Sequence, residues 1–218
     1  MRGDILAIEA HHRSAAAEIA LLVAARLDAL RGQRLAIGIS GESGSGKSEL
    51  ARALQDVLAV RGVNSIILQQ DDYFVLPPRS NDCRRRENIE WVGTLEVDLN
   101  RLDQDVRTLL EGATRLEKPL VDYAADCIES ETLQASGQLI IAEGTYVSLV
   151  PSISLRVFID RDYTQTLAAR RRRNREPFDP FIEQVLEVEH AIIREHKSLA
   201  DIVVANDYSI RENPTESW

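Results

Sequence analysis

RLAIGISGESGSGKSELARALQDVLAV, residues 34–60, sets a short apolar run, a glycine-rich loop and an amphipathic stretch in direct succession. The run at 34–40 suits a buried parallel strand. Leu50, Ala53, Leu54, Val57 and Leu58 recur at helical spacing. Between the two, Gly41, Glu42, Ser43, Gly44, Ser45, Gly46, Lys47 and Ser48 match the pattern G-x-x-x-x-G-K-[ST] at every fixed position. Such a loop wraps its backbone N–H groups around phosphate oxygens, an approach that its glycines permit. Lys47 adds a mobile cation for the outer phosphates, Ser48 a hydroxyl for Mg²⁺, and the helix that starts here its positive end. A chance Gly/Ser turn would not bring its own strand and helix in the order the chemistry needs.

The same alternation continues outward from the loop. Residues 4–30 are Ala-rich, with Ile5, Ile8, Ile19, Leu22, Val23, Leu27 and Leu30 near helical spacing, so residues 1–32 are expected to hold a leading helix that stops at Gly32. Residues 65–69 read as a second strand running into Gln70, Asp71, Asp72 and Tyr73. The proline and Asn/Asp density of 76–82 predicts an irregular loop. Helical spacing returns over 98–111 and ends at Gly112, and Pro119 with the alternation around Val121 and Tyr123 predicts an irregular hairpin over 116–133. Further apolar runs at 138–144, 155–160 and 201–205 read as strands, and 163–173 and 181–199 as helices. The expected fold is α/β: a five-stranded parallel sheet with helices on both faces and a small lid or hairpin region, all in one domain over 1–218.

Composition narrows the function. With a formal net charge of −9 the chain lacks the basic surface that nucleic acid demands, and no run reaches the roughly 18 apolar residues of a membrane span. No secretory signal is seen at the start, so a cytoplasmic location is expected. Cys83 and Cys127 stand in no metal or redox spacing, and the four histidines, His11, His12, His190 and His196, read as surface or structural. Positive charge is concentrated in Arg84–Arg86 and Arg170–Arg173, which suits a small phosphate-bearing ligand, although a solvated loop is the simpler account of the first run.

In open parallel sheets ligands bind beyond the carboxyl ends of the strands. Here those ends carry the glycine loop, then Asp71 and Asp72, then Glu143 on an otherwise apolar strand, where an unpaired carboxylate would be costly. Phosphoryl transfer needs an acid for Mg²⁺ or its waters and a second group to take the acceptor's proton. Glu143 and Asp71 can fill these roles.

Taken together, GESGSGKS (41–48), LQQDDYF (68–74), NIE (88–90), KPLVDY (118–123), IIAEG (140–144) and FIDRDYTQTLAARRRR (158–173) resemble the uridine kinase and phosphoribulokinase family of P-loop kinases. The resemblance implies a P-loop NTPase fold, ATP and Mg²⁺ as cofactors, and a small-molecule hydroxyl acceptor. It implies Asp71 as the acid that draws the acceptor proton and Glu143 beside Mg²⁺ with Ser48. Tyr73, Glu90 and Asp122 would fall on the acceptor side, within a loop, helix and hairpin at about 76–133, and Arg170 and Arg173 on a lid at about 162–182. Arg170 and Arg173 share one side of a helix, so either could reach inward to phosphate. The chain also departs from uridine kinases. Trp91 and Val92 replace a His-Pro pair, Val121 replaces an aromatic residue, and Asp126 lies near the place of the base-reading histidine. Phosphate transfer survives these changes, whereas uracil recognition does not. The alternative is a regulatory module that binds ATP without phosphorylating a metabolite, against which the retained Asp71 and Glu143 argue. The leading helix could pack on its own sheet or on a partner subunit in a homo-oligomer.

Overall fold

A computed structural model describes residues 6–166 and 179–213. The central sheet has six strands in the order β2-β5-β1-β6-β7-β8. These are β1 (Leu35–Gly41), β2 (Ser65–Gln69), β5 (Leu139–Glu143), β6 (Leu155–Ile159), β7 (Ile202–Val204) and β8 (Ile210–Glu212). The first five run parallel, as the apolar runs predict. The five-stranded expectation falls one strand short, because β8 returns antiparallel to β7 through the tight turn at Tyr208 and closes the edge. Three residues with only intermediate or exposed side chains carry no periodic signal.

β1 lies at the centre, paired to β5 on one side and β6 on the other, with every residue buried. Its alternate side chains feed two cores. Leu35, Ile37 and Ile39 join α1 (Ala10–Ala29) and α2 (Lys47–Val60) on one face. Ala36 joins α4 (Leu99–Leu110) and the apolar side of the turn around Val147 on the other. α1 packs on its own chain through Ala15, Ala16, Ile19, Ala20 and Val23, all fully buried. It begins at Ala10, later than the periodicity suggests, with Glu9 as its cap.

Residues 76–82, expected as a loop, open α3 (Pro78–Glu87) instead. Pro78 occupies the first helical turn, where no N–H is needed, so proline here starts a helix and does not prevent one. The hairpin is more regular than expected: β3 (Arg115–Asp122) pairs with β4 (Cys127–Gln134) through eight facing residue pairs. It is fastened to the turn after β2 by Asp72, which accepts from Lys118 Nζ at 2.7 Å and from the Val121 N–H at 3.1 Å. Past residue 178, α5 (Pro180–Ile193) leads into a 3-10 turn, Arg194–Leu199. Arg170 and Arg173, and most of the expected lid, lie outside the described residues.

Candidate active site

The loop between β1 and α2 stands at the carboxyl end of the sheet's central strand. Its neighbours are the ends of β5, where Glu143 sits, and β2, which continues into a 3-10 turn over Gln70–Tyr73. Ser48 Oγ donates to Glu143 Oε1 at 3.0 Å, and Gln69 Nε2 donates to the same oxygen at 3.2 Å. Glu143 is 5% exposed. Burial, reinforced by the negative charge of Asp71, pushes its carboxyl up to about 7, while Lys47 and its two hydrogen bonds pull the other way. The strand leaves the site sharply: Gly144 has φ 156°, and a Cβ there would strike Gln70, whose Oε1 accepts the Tyr146 N–H.

These groups fit Mg²⁺. A hydroxyl and a carboxylate face each other at the loop's exit, and hard oxygen donors are what that ion takes. Among the described residues no group of three or more His, Cys, Asp or Glu forms a closed metal cage. A site with few protein ligands suits an ion that also binds phosphate oxygens and water.

Lys47 folds back over the loop, donating from Nζ to the Glu42 carbonyl at 2.9 Å. The side chain of Glu42, a member of the loop, is engaged outside it. Its carboxylate is 6% exposed and turns away, meeting His190 Nδ1 of α5 and the Tyr163 N–H, each at 2.6 Å. Thr166 Oγ1 donates to the Ser43 carbonyl at 2.9 Å. The loop's outer wall is therefore built from residues far along the chain.

Asp71 is half-buried on the turn after β2, and its charge acts on both Glu143 and Glu189. Tyr73 departs from the acceptor-side expectation. It is 1% exposed, and its hydroxyl donates to Asp105 at 2.9 Å, so its ring belongs to the core. Glu90 is exposed on the 3-10 turn Ile89–Trp91, and Asp122 ends β3, where Oδ1 accepts the Ala125 N–H at 2.9 Å. Trp91 is half-buried and donates from its indole to Asn81 at 2.8 Å. Arg85 is neither solvated nor free: it pairs with Glu96 and, at 3.6 Å, with Glu189.

Glu189 is a site group that the sequence reading lacks. Its side chain is 12% exposed, and burial pushes its carboxyl up to about 7, with Arg85 and Lys47 opposing the shift. A lone acid in an amphipathic helix carries no signal in sequence. Its meaning comes from the fold, which pairs it with Arg85 and brings it within electrostatic reach of Lys47 and Asp71. His12 and Tyr208 likewise emerge only in three dimensions, against the back of the phosphate loop.

The sequence model of the phosphoribulokinase/uridine kinase family matches residues 36–204. The bifunctional alpha-galactosidase/sucrose kinase AgaSK of Mediterraneibacter gnavus is 29% identical over 194 residues, covering 82% of this chain and 21% of that far longer protein. The uridine kinase of Latilactobacillus sakei subsp. sakei (strain 23K) is 29% identical over 181 residues, covering 77% of this chain and 83% of its own. In fold, D-glycerate 3-kinase from Cryptococcus neoformans var. grubii superposes with a TM-score of 0.63 at 13% identity, over 91% of this chain and 99% of that one. The matched span takes in the phosphate loop, the Asp71 turn and Glu143, and the chain belongs to the phosphoribulokinase/uridine kinase family as an ATP-dependent kinase of small metabolites.

Proposed function

We propose that the chain transfers the ATP γ-phosphate to a hydroxyl of an uncharged polyhydroxyl metabolite of the nucleoside or sugar type. The observation that carries this reading is the Ser48–Glu143 contact of 3.0 Å at the loop's exit, with the charge of Asp71 close enough to raise Glu143. Backbone N–H groups of residues 41–48 and Lys47 would hold the phosphates. Ser48 and Glu143 would hold Mg²⁺, which supplies charge neutralisation on the β- and γ-oxygens when bound. Asp71 would orient the acceptor hydroxyl and take its proton. Because charge positioning dominates phosphoryl transfer, the chain's main contribution is to place these groups before substrate arrives. Arg170 and Arg173 would add charge from the lid, and Glu90 and Asp122 would meet the acceptor.

The acceptor side is acidic. Asp71 lies within electrostatic reach of both Glu143 and Glu189, and Arg85 is committed to Glu96 and Glu189. Carboxylates and amides bind hydroxyls well and repel a phosphorylated acceptor. A cleft of about 270 Å³ opens beside this region, lined by Gln69, Asp72, Lys118 and Glu131 with Ile67, Leu120 and Leu133. That the similar proteins include a uridine kinase and a bifunctional alpha-galactosidase/sucrose kinase supports this reading. A purely regulatory ATP-binding module is not favoured, since simple binding needs neither Asp71 nor Glu143.

The test is acceptor-dependent ADP release from MgATP across nucleosides, free sugars, sugar phosphates and vitamin precursors. A nucleoside or sugar hit that Asp71→Asn reduces by about 10²-fold or more is expected. Turnover confined to phosphorylated acceptors would sink the uncharged assignment, and an Asp71→Asn variant as fast as the native chain would sink the role of Asp71.

A further inference from the structure

The family match begins at residue 36 and ends at residue 204, yet two side chains outside it, His12 and Tyr208, meet behind the phosphate loop. Tyr208 Oη donates to the Ser45 carbonyl at 2.7 Å. It accepts from Arg161 Nη1 at 3.2 Å and lies 3.1 Å from His12 Nε2. The Glu9 N–H donates to His12 Nδ1 at 3.0 Å, which assigns the ring proton to Nε2 and makes His12 the second donor to Tyr208. Every hydrogen in this network then has one direction. Burial and the neighbouring His11 hold the His12 ring down at about 4, so the neutral tautomer it requires is the one present near neutrality. The His11 ring packs against Tyr208 at a tilt of 42°, with ring centroids 4.3 Å apart.

The consequence for the loop follows from peptide geometry. In a planar trans peptide the C=O and the next N–H point in opposite directions. With the Ser45 carbonyl drawn back onto Tyr208, the Gly46 N–H is turned forward, toward the concave side where a phosphate would lie. Polarising that carbonyl also strengthens the amide as a donor. The approach is close: a Cβ on Gly46 would stand 2.2 Å from Tyr208 Oη and 2.9 Å from His12 Nε2, and Gly46 has φ 99°. The clamp can therefore close on glycine and on no larger residue.

We infer that His12 and Tyr208 are positioning residues for the nucleotide, holding the Ser45–Gly46 peptide so that its N–H meets the polyphosphate. The leading helix thereby becomes part of the nucleotide site, contributed from outside the family's matched core. The test is calorimetric titration of the purified full chain with MgADP, which needs no acceptor and so stands or falls apart from the acceptor assignment. Tyr208→Phe keeps the ring and removes only the hydroxyl. It and His12→Leu are expected to weaken ADP roughly tenfold and to move the Gly46 amide proton resonance of isotope-labelled protein. His12→Gln, whose amide nitrogen can replace Nε2 as donor, should stay within about threefold of the native affinity. A packing role alone predicts a lower melting temperature with the Gly46 resonance unmoved. That pattern, an unchanged ADP affinity in Tyr208→Phe, or an affinity loss without movement of the resonance would each overturn the inference.

Discussion

Glu143, proposed as the Mg²⁺-site acid, strains against its surroundings. A carboxylate at the end of an all-buried strand is held up near 7 by desolvation and by Asp71, and its two hydrogen bonds do not restore the ordinary value. A carboxyl raised on folding contributes stability below its unfolded pKa, and loses that contribution as pH rises through the folded one. With Mg²⁺ removed by chelation, stability should therefore fall between pH 4.5 and about 7 and level off above. Glu143→Gln keeps the shape and cannot ionise. In chemical denaturation it should match the native chain at pH 4.5 and exceed it by about 2–3 kcal/mol at pH 8. Turnover of the same variant should drop by about 10²-fold or more, the exchange of stability for function expected where a buried charge serves chemistry. A variant less stable than the native chain at pH 8 would show that the hydrogen bonds from Ser48 and Gln69 outweigh the buried charge. Lys47 belongs to the same scale. Lys47→Ala should abolish nearly all turnover measured as ADP release, because the outer phosphates lose their mobile cation.

At the level of elements, the hairpin and the Asp71 turn behave as one unit because Lys118 joins them. Its ammonium, 5% exposed, meets Asp72 at 2.7 Å, the Pro119 carbonyl at 3.0 Å and Glu131 at 3.3 Å, so its three protons have three acceptors. Removing one partner of a buried pair leaves the other charge stranded, at a cost of about 3–5 kcal/mol. Lys118→Met should therefore lower stability by that amount in denaturant titration, and Lys118→Met with Asp72→Asn together should recover a large part of it. If the single variant loses less than about 1 kcal/mol, the pair is a surface contact in energetic terms and the hairpin is held by its apolar face alone. Which elements were legible in advance follows from the range of the forces involved. The strands around the phosphate loop, α2 and α4 declare themselves through local periodicity, and the hairpin through Pro119 and alternation. α3 does not, because Pro78 and the Asn/Asp residues read as a loop until Asn81 and Arg85 find Glu96. The site divides in the same way. Ser48, Asp71 and Glu143 are written at strand ends, whereas the Glu42–His190 contact joins residues 148 apart and has no local trace.

Across the whole molecule, the sheet separates two cores, and only one of them depends on the segment that precedes the family match. α1 contributes Ala15, Ala16, Ile19, Ala20 and Val23 to the core beneath α2, each fully buried, while its outer face carries exposed Leu21. The small residues let α1 sit close against α2, and that closeness carries His12 to the back of the loop. The two readings left open by the sequence, packing on its own sheet or on a partner, are thus resolved for this face: it is filled from within the chain. Ile19 sits at its middle with no exposed surface, so Ile19→Ala leaves a cavity that the flanking alanines cannot fill. The expected cost is about 2–5 kcal/mol, or a fall in melting temperature of about 2–4 °C per kcal/mol for a chain of this size. Because the face is internal, light scattering should give the same oligomeric state for variant and native protein, and the difference in melting temperature between them should be independent of protein concentration. A destabilisation that shrinks as protein concentration rises would instead mean that a second subunit completes this face. The affinity for ADP discriminates further: loosening α1 should weaken nucleotide binding through His12 even where the fold survives, which a helix serving only as a lid on the core would not do.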